Sequence, residues 1–163
     1  MASVKAEVAA RRLLRGDVKL PVSLSEICRR YDIALGFAKL NKLNAFLLEA
    51  KYKRVIMVNI DHNIARQRFS IAHEIGHAYM QHGPISFDSD TIKNRPHWQE
   101  VQANSFAAEL LMPKVLLSRY GQLSPAQIAR LCNVSMEAAV IRAEQLGWLQ
   151  RELNFFDISH DWR

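Results

Sequence analysis

The alternation of apolar and polar positions divides the chain into a helical start, a middle with a two-residue period, and a helical remainder. Residues 4–15 place Ala6, Ala9, Ala10, Leu13 and Leu14 on one stripe at helical spacing, and Gly16 stands where a terminator belongs. Ser23-Leu24-Ser25-Glu26 has the capping-box pattern and opens a short helix through Ile27 to about Tyr31, with Cys28 packed as a small hydrophobe. From Ile33 to Asn59 the period shortens. Strands are expected at residues 33–37, 45–48 and 54–59, the last β-branched and apolar, with turns at 41–44 and 51–53. We expect a small antiparallel sheet and leave its strand order open.

Helical periodicity then returns. Asp61 or Asn63 can cap a long helix containing Phe69, Ile71, Ala72, Ile75, Ala78, Tyr79 and Met80, fading near His82-Gly83-Pro84. Residues 83–96 are polar and broken by two prolines, which reads as a loop of the length used for lids or binding loops. Residues 98–112 form a second long helix stopped by Pro113, and residues 115–120 a short one ending at Gly121. Ser124-Pro125-Ala126-Gln127 is a capping box with proline at the first helical position, opening a helix to about Cys132. Ser135 caps a last helix to Leu146, closed by Gly147. The tail, 148–163, has a strand candidate around 153–156.

Composition narrows the class. A length of 163 residues with 49% hydrophobic positions suits one domain, or one with a small appendage, built on a real core. Cys28 and Cys132 form no C-x-x-C, which speaks against a disulfide framework and a cysteine metal site and fits a reducing, cytoplasmic compartment. No signal-peptide core or membrane-length apolar run is present. The net charge of +6 is uneven. Residues 1–68 carry 14 Lys+Arg against 6 Asp+Glu, a balance of +8; residues 69–163 carry 8 against 10, a balance of −2. No Lys/Arg run exceeds two residues, so a solvated basic surface explains the first half better than a nucleic-acid footprint.

The long middle helix carries the chemistry. His73-Glu74-Ile75-Gly76-His77 is an H-E-x-x-H motif. Residues four apart share a helix face, so both imidazoles can reach one zinc ion. Glu74 lies about 100° round the helix, beside the ion, where a general base for water belongs. The bland alternative, two surface histidines and a glutamate, fits poorly with so apolar a helix, because buried histidines need partners.

A catalytic zinc site usually has three protein ligands and one open position. The continuation H-E-x-x-H-x-x-G-x-x-H is excluded by Met80 and Gly83. A glutamate on the following helix is the other solution. Glu100 is preferred because Asn104, one turn on, can accept the free N–H of a ligand imidazole. Glu109 is the rival, about 180° round the helix from Glu100, so both cannot face the ion. Glu100 as a first-turn acid facing the helix dipole is compatible with either outcome. Tyr79 and Tyr120 are candidate donors to an oxyanion, and His82 and His97 candidate substrate contacts. His62 and His160 read as surface or packing residues.

The run Arg66-x-Arg68-Phe69-Ser70-Ile71-Ala72-His73-Glu74-Ile75-Gly76-His77, followed by residues 100–113 (EVQANSFAAELLMP), closely resembles the ImmA/IrrE family of metallo-endopeptidases. The resemblance extends over roughly residues 20–147. It implies an α+β, zincin-like domain of gluzincin type: a small antiparallel sheet, the H-E-x-x-H helix, a glutamate helix and a C-terminal helical pair. It implies one zinc per chain held by His73, His77 and Glu100, with Glu74 as base. It also implies a substrate: a helix-turn-helix repressor, often encoded nearby, whose cleavage releases genes of a mobile element, phage or stress response. Gln102 departs from the second acid that many members carry there.

We place the metallopeptidase domain at 1–122. Residues 123–163 form a helix-turn-helix-like pair and tail packed on the same domain. The second helix of that pair opens with Met136, Glu137, Ala138, Ala139 and Val140, which are poor readers of base edges. We therefore read the pair as structural or substrate-docking. The competing class is a non-catalytic or gated zinc regulator acting through protein or DNA binding; a structural zinc site would normally use four ligands, with cysteine.

Overall fold

The computed structural model describes residues 3–15, 18–51, 53–83, 86–88, 91–93 and 95–149, with the backbone alone at 86–88 and 91–93. The strand expected at 153–156 lies outside the described residues. Helix α1 (Val4–Leu13) is capped by the Ser3 side chain, and α2 (Leu24–Arg30) by Ser23. Strands β1 (Ile33–Ala38), β2 (Ala45–Ala50) and β3 (Lys53–Asn59) follow, then the long helix α3 (Ile64–Tyr79), capped by Asn63. Helix α4 (His97–Leu111) is the second long helix; α5 (Lys114–Leu117) runs into a single 3₁₀ turn, Ser118–Tyr120. The chain ends in α6 (Pro125–Cys132) and α7 (Met136–Gln145). At α6 both halves of the Ser124–Gln127 capping box form.

The sheet is mixed, not antiparallel as expected. Its order is β1-β3-β2, with β1 parallel to β3 and β2 antiparallel to it. The reason lies in residues 39–44, which cross the end of β3 instead of forming a hairpin. Asn59, buried at the end of β3, pins that crossing: its side-chain amide donates to the Leu43 carbonyl at 2.9 Å and its backbone N–H to that of Asn44 at 2.9 Å. Nothing in the periodicity of three short strands distinguishes these two topologies. The expected loop at 83–96 also differs. It contains a small hairpin, β4 (Ser86–Asp88) paired antiparallel with β5 (Thr91–Lys93).

One apolar core runs through the molecule. It joins Ala6, Ala10 and Leu13 of α1, Leu47 and Ile56 of the sheet, Ile71 and Ile75 of α3, Phe106 and Leu110 of α4, and Ile128, Cys132 and Ala143 of the terminal pair. At its centre α3 and α4 approach closely. A Cβ added to Gly76 would lie 3.0 Å from the Phe106 ring, so glycine there is a condition of the approach. Ala103 and Ala107 are fully buried on α4 and keep its own face low. The terminal pair is tied in by polar contacts too. The Arg68 side chain donates to the carbonyls of Val22 (3.0 Å), Asn133 (3.2 Å) and Cys132 (3.4 Å).

Glu109 belongs to this framework. Its carboxylate is fully buried, accepts from Arg142 of α7, from Arg11 Nε of α1 at 2.8 Å and from the Lys114 backbone N–H at 3.4 Å. Those partners use its lone pairs far round the helix from Glu100. Glu109→Ala should strand the Arg142 guanidinium in the core and cost about 3–5 kcal/mol, as breaking a buried ion pair does. Urea unfolding of metal-free protein measures this; a loss under about 1 kcal/mol would contradict the assigned role.

Candidate metal centre

Helix α3 presents His73 and His77 on one face because they are four residues apart, and the two Nε2 atoms lie 3.0 Å apart. From α4, Glu100 meets them: Oε2 is 3.1 Å from His73 Nε2 and Oε1 is 3.4 Å from His77 Nε2. Three side chains from two helices therefore converge. Zinc–ligand bonds of about 2.0–2.1 Å at tetrahedral angles separate neighbouring donors by about 3.3 Å, so the residues present fit such an ion.

The far side of each imidazole is also engaged. His73 Nδ1 is 2.9 Å from Asn104 Oδ1, the contact expected from the spacing of Glu100 and Asn104. His77 Nδ1 is 3.0 Å from His82 Nδ1, and His82 Nε2 is 3.0 Å from Gln102 Oε1. With Nδ1 of each ring spent on a second residue, Nε2 is the atom left to face the shared point.

Glu74 is buried and, with His73 and His77, forms a cluster whose ligand-type atoms lie within 4.8 Å of one another. That cluster and the His73–His77–Glu100 contact offer rival third ligands. Glu100 brings one oxygen to each of the two Nε2 atoms. Glu74 Oε2 instead faces Arg95, whose Nη2 lies 3.4 Å away and also donates to the Gly83 carbonyl at 3.2 Å. The Arg95 side chain is 6% exposed, and its Nε has no hydrogen-bond partner among the described residues.

Electrostatics follow from this burial. Loss of water raises the Glu74 carboxyl above its ordinary value, against the pull of Arg95 and His73. Burial, helped by His73, Arg95 and His82, pushes His77 down to about 2, so the ring is neutral. Burial also lowers His82. Glu100, accepting from His73, lies below the usual carboxylate range despite partial burial.

Tyr79 packs edge-on against Tyr31, with ring centroids 5.7 Å apart, and 6.0 Å from Phe106, within the core-facing aromatic group. Tyr120 is exposed on the 3₁₀ turn, and His97 is exposed at the first position of α4. His82 sits in the site, but against His77 and the edge of Trp98. Arg95 and the contact of Gln102 escaped sequence reasoning. Arg95 is one of many basic residues, and only its place just before the Pro96 that caps α4 hinted at anything.

Comparison with known proteins identifies the family. A model of the IrrE N-terminal-like domain, Peptidase_M78, matches residues 28–144. The metallopeptidase ImmA of Bacillus subtilis (strain 168) is 29% identical over 142 residues, covering 82% of each chain. An uncharacterized immunity region protein 2 of Bacillus phage phi105 is 32% identical over 114 residues, covering 62% of this chain and 66% of its own. A solved structure of a Mycobacterium tuberculosis transcriptional regulator shares the fold, with a TM-score of 0.61 at 16% identity; it covers 88% of this chain, which spans 47% of that one. With the family model spanning most of its length and both histidines, Glu74 and Glu100 inside the match, the chain belongs to the ImmA/IrrE (Peptidase_M78) family of metallopeptidases.

Proposed function

We propose that this protein is a zinc endopeptidase that cleaves a helix-turn-helix repressor, with His73, His77 and Glu100 as metal ligands and Glu74 as general base. The observation that carries the reading is the convergence of two imidazole Nε2 atoms and one carboxylate within 3.0–3.4 Å, each ring held from behind. A neutral His77 is the form that ligates. When bound, zinc supplies Lewis acidity, acidifying water and polarising a peptide carbonyl.

The chain's own residues do the rest. Glu74, raised in pKa by burial, takes a proton from the attacking water at Oε1, the oxygen not engaged by Arg95. It returns that proton to the leaving amine as the C–N bond breaks, so water is split between the new carboxylate and the new amine. Asn104 keeps the His73 ring in its ligating orientation. The repressor substrate is supported by the names of the Bacillus relatives, a metallopeptidase and a phage immunity-region protein. A DNA-reading role is poorly supported, because the single arginine of α7, Arg142, is buried against Glu109. A gated form of the same enzyme has one specific observation in its favour: the Arg95 guanidinium on Glu74, which disfavours proton uptake until it moves.

Purified wild-type protein should carry about one zinc per chain and cut the helix-turn-helix protein encoded beside it. Glu74→Gln should keep the zinc and lose at least about 10²-fold in cleavage; normal cleavage by that variant would remove Glu74 as the base. Glu100→Ala should lose zinc with little change in metal-free stability, and full zinc retention would move the third ligand elsewhere. Acid should weaken the metal-free fold. The unfolded chain protonates His77 near pH 6.5 whereas the folded chain does not until about 2, so the contribution of this group is complete above about pH 6.5 and falls as pH drops below it. The slope from this group approaches about 1.4 kcal/mol per pH unit. A urea midpoint that is the same at pH 7.5 and 5.5 in chelator-treated protein would contradict the burial argument.

A further inference from the structure

The geometry points to His82 and Gln102 as a two-residue positioning relay that holds His77 in its metal-binding tautomer. The inference rests on the zinc reading above but is separable from catalysis. His77 is fully buried. If its Nε2 faces the ion, its proton must sit on Nδ1, and the atom 3.0 Å from Nδ1 is another imidazole nitrogen, His82 Nδ1. Two ring N–H groups cannot face each other, so His82 accepts there and carries its own proton on Nε2. That N–H has an acceptor, Gln102 Oε1, at 3.0 Å. The chain of donors therefore runs one way, from His77 through His82 to an amide oxygen that cannot pass a proton on. The usual partner behind a metal-binding histidine is a carboxylate or backbone carbonyl; here an imidazole fills that place, with Gln102 fixing which of its nitrogens accepts.

His82 reaches this position through the way α3 ends. Gln81 takes the left-handed conformation, φ 58°, and the His82 backbone N–H bonds back to the His77 carbonyl at 3.0 Å while that of Gln81 bonds to Ala78 at 3.4 Å. This paired six-residue and four-residue closure is a Schellman turn, and it brings residue 82 over residue 77. Trp98 then meets the His82 ring edge-on, with centroids 5.5 Å apart, limiting its rotation. Local backbone geometry, one ring contact and one amide thus converge on a single orientation of His82. None of the three involves Glu74 or Glu100.

The test is zinc affinity, read by competition with a chelator on protein shown to be folded by circular dichroism. His82→Leu, which keeps bulk and removes the acceptor, should weaken zinc about 10–100-fold. His82→Asn places an amide oxygen near the site of Nδ1 and should recover most of that loss, which a purely space-filling role would not predict. Gln102→Leu should weaken zinc in the wild-type background and change nothing in the His82→Asn background, because without the imidazole there is no Nε2–H for Gln102 to accept. Long-range proton–nitrogen spectra of the zinc-loaded wild type should show His77 protonated at Nδ1 and His82 at Nε2. Wild-type affinity in His82→Leu, or His82 protonated at Nδ1, would overturn the relay. A wild type that binds zinc with this dependence but cuts no repressor would overturn the substrate reading and leave the relay standing.

Discussion

The close approach of α3 and α4 is the constraint on which the site depends. His73 and His77 stand on one helix and Glu100 on the other, so their mutual distances are set by how near the two axes come. Gly76 against the Phe106 ring, with Ala103 and Ala107 buried alongside, sets that distance. A methyl at position 76 would press on an aromatic ring that is itself fully buried, and a close-packed core has no slack to absorb it without moving one helix. The same contact brings Asn104 to His73 and Gln102 to His82.

Burial around that contact decides the electrostatics. An imidazole removed from water keeps its lone pair available, as at His77. A carboxyl removed from water becomes a better proton acceptor, as at Glu74, until a cation is set beside it. Arg95 is that cation, its side chain as buried as the carboxylate it faces. Desolvating both members of such a pair is costly, and an Nε without a partner among the described residues adds to the cost. The arrangement therefore sits under tension at the point where the reaction would draw on Glu74.

Glu100 and Glu109 show how one helix serves two ends. Glu100 faces the imidazoles with its side chain 38% exposed. Glu109, at 1%, holds α1, α4 and α7 together through Arg11 and Arg142. Exchanging them would leave the core with an unpaired guanidinium and the imidazoles without a carboxylate.

Much of this was legible in the chain itself, wherever the determinant is local. Helical spacing alone puts His73 over His77 and Glu100 over Asn104, since 3.6 residues per turn is a property of the backbone. The caps at Ser124 and Ser135 are local in the same sense. The parallel pairing of β1 with β3 was not legible, because it depends on residues 39–44 crossing to a buried Asn59, a contact between segments distant in sequence. Nor were the burial of Arg95 on Glu74 and the link from His77 through His82 to Gln102. Each joins side chains from separate elements across a packed interface, and which polar groups meet there is decided only when the elements dock.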